Sequence, residues 1–226
     1  MQENKFLIPL AVLVAGALVA GAVIFRDKTP NTGITPDGEV KEIIIEPLSA
    51  SDHIFGNPNA PIVMIEFSDI DCPFCQSFDV TMRRIMDTYG KDGKIAWVYR
   101  QFPLDSLHPN ARVKAESTEC VASLSNNETF WKYLGTLFER TDETPADLST
   151  IAAGLGVDKA AFEKCVADGT FKQKVEDNVQ AAMAAGGRGT PYTVILTPDG
   201  QKTPLGGALP YEQLEQVVKT LLLDQK

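Results

Sequence analysis

The chain has 226 residues and a formal net charge of -9, from 30 acidic against 21 basic side chains. That balance disfavours nucleic acid as a partner and suits a soluble head that stays off anionic lipid surfaces. The sequence holds no glycine-rich phosphate loop and no cluster of metal ligands, so no nucleotide, metal or other cofactor is implied.

Residues 6 to 25 carry no charge, and a run of ~20 apolar residues is long enough to cross the hydrocarbon core as a helix. Ala15-Gly16-Ala17 and Ala20-Gly21-Ala22 are cleavage-like patterns, but the apolar run continues past both, which favours an uncleaved anchor over a long signal peptide. Residues 1–28 are therefore expected to form a single-pass membrane anchor. Lys5 on one side and Arg26 and Lys28 on the other leave its orientation open. Residues 29–51, with Pro30, Gly33, Pro36 and Gly38, read as a polar tether, with a short first strand expected at 40–45. The remaining residues, 52–226, are enough for one well-buried domain.

Within that domain Ile62-Val63-Met64-Ile65-Glu66-Phe67 is an apolar run that reads as a strand covered on both faces, and the pattern after Cys75 reads as a helix. Cys72 thus stands where a strand hands over to a helix. Pro73 fits the first helical position, and the amides around Cys72 and Phe74 can point at the first sulfur, which favours its thiolate. Cys75, one turn on, can close a disulfide with Cys72. Half of a zinc site is the competing reading, but no second pair has this spacing and the only histidines are His53 and His108. Glu66 interrupts the apolar run and should lie buried beneath the cysteines with a raised pKa, able to exchange a proton with Cys75 directly or through water. A solvated edge-strand glutamate is the alternative. Asp69 and Asp71 would oppose a thiolate at Cys72, but if exposed they are screened, so the helix start should win locally.

The helix from 74 should end near Gly90, with a parallel strand at 94 to 100 to follow. From 106 to 185 helical periodicity dominates, with helices expected at 111–124, 130–139, 149–155, 159–167 and 171–185. Phe130, Trp131, Tyr133 and Phe138 fit helix packing rather than a ligand box. His108 lies before the first of these helices, close enough in sequence to approach the cysteines, yet reads as a residue that opens a helix; His53 reads the same way. Cys120 and Cys165 have no near cysteine neighbour; in an exported protein an even cysteine count favours their pairing, against two free buried thiols. The loop Gly186-Gly187-Arg188-Gly189-Thr190-Pro191 leads into a strand at 192–196, the setting in which cis X-Pro bonds occur. An antiparallel strand at 203–206 and a helix at 211–223 close the chain.

Glu66 six residues before Cys72, the Cys72-Pro73-Phe74-Cys75 pair, the Gly189-Thr190-Pro191 loop and the helical stretch between them resemble the DsbA-like thiol:disulfide oxidoreductases of the thioredoxin superfamily. His53-Ile54-Phe55-Gly56-Asn57-Pro58-Asn59-Ala60-Pro61 is similar to the membrane-anchored or exported branch. The resemblance implies a thioredoxin-like α/β fold with an inserted helical subdomain. It implies that Cys72 is the attacking thiol, Cys75 the resolving thiol, Glu66 the buried proton acceptor and Pro191 a cis-proline facing the disulfide. Substrate would bind over Thr190, whose backbone pairs with an extended segment, and over Pro191, Pro73 and Phe74. Many strong oxidants of the family carry a histidine where this chain has Phe74, so the Cys72 pKa is expected below the free-thiol ~8.5 but above the extreme of ~3.5. The expected activity is disulfide exchange with exported, cysteine-containing proteins outside the cytoplasm, most readily as an oxidase recharged by a membrane quinone-coupled thiol oxidase. A reductase or isomerase, or a non-catalytic tethered peptide-binding module, are the alternatives.

Overall fold

The computed structural model describes residues 32–34, 40–140 and 143–224. The expected anchor at 6–25 lies outside them, and among the described residues no helix is long and apolar enough to cross a membrane. Strands β1 (Thr32–Ile34) and β2 (Val40–Glu42) pair as a separate antiparallel ribbon. The main sheet contains β3 (His53–Gly56), β4 (Ile62–Ser68), β5 (Ile95–Gln101), β6 (Tyr192–Leu196) and β7 (Lys202–Gly206), in the order β3-β5-β4-β6-β7. Two expectations change here. The strand at 40–45 covers only Val40–Glu42 and belongs to the ribbon, while the first strand of the main sheet is β3, which four residues of weak alternation hid. The segment 43–48, placed in the tether, packs on the domain: Ile43 is buried with Ile45 and Leu48 against it, and its carbonyl accepts from Lys202 Nζ at 2.8 Å.

The centre of the sheet is β4, parallel to β5 and antiparallel to β6. Its apolar residues divide between two faces because successive side chains point to opposite sides. Ile62 and Met64 join Ile95, Trp97 and Tyr99 on one face, and Ile65 and Phe67 join Val98 and Val194 on the other. The parallel pair needs a crossover, supplied by α1 (Pro73–Ile85) and the wide turn Met86–Gly90. Phe78, Met82 and Ile85 recur at helical spacing and bury the inner stripe of α1.

Between β5 and β6 lies the helical insertion, α2 (Ala111–Leu124), α3 (Asn127–Glu139), α4 (Leu148–Gly154), α5 (Lys159–Ala167) and α6 (Lys172–Ala184); α7 (Tyr211–Leu223) follows β7. Asn126 caps α3 by accepting from the Thr129 amide at 2.9 Å, and Asp158 caps α5 from the Ala161 amide at 2.7 Å. Phe130, Trp131, Tyr133 and Phe138 are buried core residues, and Trp131 rests on Trp97 with ring centroids 4.6 Å apart, tying insertion to sheet. Such large side chains contribute roughly 1.5–3 kcal/mol each on burial. A disulfide joins Cys120 of α2 to Cys165 of α5 across 45 residues. His53 opens no helix: it sits on β3, stacked on Phe130 at 3.6 Å.

Candidate active site

Cys72 is the N-cap of α1, with extended backbone and no side-chain cap, and Pro73 follows at the helix start. Its amide donates to the Asp69 carbonyl at 3.1 Å and its carbonyl accepts from Gln76 at 3.1 Å, so the turn that presents the sulfur is fixed from both sides. Cys72 and Cys75 are both free thiols here, 4% and 0% exposed respectively, whereas Phe74 between them is 65% exposed. A hydrogen bond from the Cys75 thiol outweighs the cost of burial and, with the amides of Cys75 and Phe74, brings the Cys72 pKa down to about 5. Burial, the neighbouring Cys72 sulfur and the charge of Glu66 push Cys75 the other way, far above an ordinary thiol. One sulfur is a thiolate at neutral pH and the other a thiol, the division of labour an attacking and a resolving cysteine require.

Under the pair, Glu66 of β4 is 0% exposed. Burial raises its pKa to about 8, against the nearby Ser68 hydroxyl and the Trp97 hydrogen bond, which lower it. Trp97 Nε1 donates to Glu66 Oε2 at 2.9 Å, while Oε1 has no hydrogen-bond partner among the described residues. A carboxyl half ionised near pH 8 is suited to trading a proton with the buried thiol above it.

The opposite wall is the loop from α6 to β6. Gly186, at φ +96°, turns the chain out of α6, and a Cβ on Gly187 would lie 2.9 Å from the Ala182 carbonyl, so glycine is required for the close approach. Tyr192 OH donates to the Ala185 carbonyl at 2.7 Å, and the Gly207 amide donates to the Pro191 carbonyl at 2.9 Å. The Thr190-Pro191 bond is cis, and the Thr190 carbonyl lies 3.6 Å from Cys72 Sγ as acceptor. The structure thereby brings together Cys72, Cys75, Glu66, Thr190, Pro191, Pro73 and Phe74. Beside them runs a groove of about 370 Å³ walled by Arg188, Gly189, Thr190, Pro191 and Tyr192.

The condition for solvent screening of the acidic residues before Cys72 is not met at Asp69. Asp69 is 1% exposed rather than solvated; its carboxylate accepts from the Leu104 amide at 2.7 Å, His108 Nδ1 at 2.9 Å and the Asp71 amide at 2.8 Å. Asp71 pairs with Lys114 Nζ at 2.5 Å. Partners from the helical insertion, not solvent, therefore offset these charges. His108 reaches the site through Asp69, whose amide donates to Cys75 Sγ at 3.4 Å, a role beyond opening a helix. Sequence reasoning missed Lys114, which no local pattern connects to Asp71. It also missed Ser68, which the two-residue period of the strand counted on from Glu66 would have placed on the cysteine face.

A family model described as Thioredoxin matches residues 49–220. Among curated proteins, the Na(+)/H(+) antiporter NhaA 3 of Salinispora tropica is 31% identical over 141 residues, 62% of this chain. The chain spans only 21% of that protein's length. Among solved structures, Wolbachia pipientis alpha-DsbA1 superposes with a TM-score of 0.69 at 24% identity, covering 80% of this chain and 96% of that one. Oxidised Bacillus subtilis BdbD gives 0.70 at 18% identity, covering 80% and 98%. At these identities the structures speak for the fold, while the family match spans most of the chain. The chain belongs to the thioredoxin family, and its fold is shared with the Wolbachia pipientis alpha-DsbA1 structure.

Proposed function

We propose that the protein is an extracytoplasmic thiol:disulfide oxidase, held to the cytoplasmic membrane by residues 6–25, that passes its Cys72-Cys75 disulfide to exported proteins containing cysteines. The observation that carries the direction is the Cys72 pKa of about 5. Whatever stabilises the thiolate stabilises the reduced form, and so makes the disulfide a better oxidant. A substrate thiolate attacks Cys72 Sγ, the Cys72-Cys75 bond breaks and Cys75 leaves with the electron pair. A second substrate thiolate then attacks the substrate sulfur of the mixed disulfide, and Cys72 leaves as the stable thiolate. Substrate and protein have exchanged a disulfide for a dithiol. The chain's own groups complete this exchange. Reoxidation is assigned to a membrane quinone-coupled thiol oxidase.

The test is the equilibrium reduction potential of the Cys72-Cys75 couple, together with refolding of a reduced disulfide protein by the purified chain. An oxidase is expected well above the ~ -270 mV of a reducing thioredoxin and towards the ~ -120 mV of a strong oxidant. Its catalysis of refolding should vanish in Cys72→Ser. A potential at or below about -270 mV with insulin reduction would make it a reductase instead. The absence of all thiol exchange would leave a peptide-binding module.

A further inference from the structure

Three buried oxygens on the cysteine-bearing face of the sheet, Glu66 Oε1, Ser68 Oγ and Tyr99 OH, make no hydrogen bond among the described residues. They are neighbours by construction. Glu66 stands opposite Tyr99 in the β4–β5 register, and Ser68 lies two residues on from Glu66, on the same face. The next residue, Asp69, touches Cys75 Sγ through its amide at 3.4 Å. Ser68 is 1% and Tyr99 1% exposed. Buried polar groups are almost always paired, so three unpaired in one place call for a function. Trp97 occupies Glu66 Oε2, which leaves Oε1 as the oxygen free to bond a hydroxyl.

We propose that the Ser68 hydroxyl carries the proton between Cys75 and Glu66, with Tyr99 as the positioning residue that holds Ser68 in line. The inference deepens the thiol-exchange reading above and rests on it. When Cys75 leaves as a thiolate, Ser68 donates its hydroxyl proton to that sulfur and takes the carboxyl proton of Glu66. The net change is Cys75–S⁻ and Glu66–COOH to Cys75–SH and Glu66–COO⁻; no electrons move beyond those of the disulfide itself. With its pKa near 8, Glu66 holds that proton at neutral pH, and Ser68 lies near enough to both Glu66 and Cys75 to lower the pKa of each. In the reverse direction Glu66 must first be ionised.

The experiment uses the reduced full chain and glutathione disulfide, followed by stopped flow. Formation of the Cys72–glutathione mixed disulfide reports Cys72, and its resolution with release of glutathione reports Cys75. In Ser68→Ala, resolution at pH 7 is expected to slow about tenfold, a modest part of what general acid–base catalysis contributes, while the pH midpoint for Cys72 alkylation stays put. Ser68→Thr should restore the rate, Tyr99→Phe should slow it by about two- to threefold, and in the presence of Glu66→Gln the Ser68→Ala change should add nothing further. Wild-type resolution should rise with pH through about 8, and that rise should be lost in Ser68→Ala. Resolution in Ser68→Ala at the wild-type rate and pH dependence overturns the relay. So does a loss shared equally by both steps and not rescued by threonine, the mark of a packing role. If the wild type itself fails to react with glutathione disulfide, the parent reading fails instead.

Discussion

Two buried polar clusters lie on the same face of the sheet, and they are built on opposite rules. At the β3 edge, Glu119 of α2 accepts from His53 Nε2 at 2.7 Å and Gln101 Nε2 at 2.9 Å, and from Lys174 Nζ of α6. Gln101 also donates to Thr118 Oγ1 at 2.8 Å. Burial would raise the Glu119 pKa, yet the His53 hydrogen bond and the charges of His53 and Lys174 lower it. Below the cysteines, Glu66 has one partner and a free oxygen, and burial wins. A carboxylate that is paired at both oxygens holds elements together; one deprived of a cation and left half bonded can change its protonation. The first cluster fastens the helical insertion to the sheet, and the second is the one the proposed exchange would use.

Breaking the fastening should therefore cost stability and spare the chemistry. The largest effect is expected from the disulfide at Cys120, the residue next to Glu119. Closing 45 residues restricts the unfolded chain by about 4 kcal/mol, so the Cys120→Ala/Cys165→Ala double variant should lose about that much in urea unfolding. Its Cys72 alkylation profile should keep its midpoint near pH 5. Glu119→Ala comes next. It strands His53 and Lys174 without their acceptor and should cost about 3 kcal/mol, the lower end for removing one partner of a buried pair because Lys174 is partly exposed. A loss below about 1 kcal/mol, or a displaced Cys72 midpoint, would erase the distinction between the clusters.

How much of this contrast was legible in the sequence depended on range. Cys72, Pro73 and Cys75 sit within one turn, Glu66 interrupts an apolar run, and the glycines before Pro191 announce a tight loop, so each site residue carried a local signal. The near-continuous apolar runs that betray a covered strand also gave the central sheet. β3 was hidden because four residues are too few for a period to show, and its place at the edge comes from pairing with β5 alone. The clamp on the active-site turn was hidden for a different reason. Asp71 meets Lys114 and Asp69 meets His108 only because the insertion folds back over the cysteines, and a charge in sequence gives no sign of the distant charge that will neutralise it.

The smallest expected change has the opposite sign, which makes it the sharpest test of the comparison. Glu66 has a folded pKa of about 8 against an ordinary 4.5. A carboxyl with a raised folded pKa stabilises the fold relative to its ionised state below about 4.5, and that advantage is lost as pH rises towards 8. At pH 7 the unfolded chain gains from ionising Glu66 while the folded chain keeps it protonated, a penalty of up to about 3 kcal/mol. Glu66→Gln removes the titration. After about 1 kcal/mol for an amide hydrogen left unpaired, the reduced variant should be more stable than wild type by about 2 kcal/mol at pH 7, with no gain near pH 4. The same substitution should slow exchange at Cys75. Parallel unfolding curves of the two reduced proteins across pH 4 to 8 check it. If the wild type and Glu66→Gln differ by the same amount at both ends, Glu66 is not held protonated, and the two clusters differ in position only. A stability gain that grows with pH, in a variant that exchanges more slowly, would mean that the fold tolerates an unfavourable carboxyl where the reaction needs a proton.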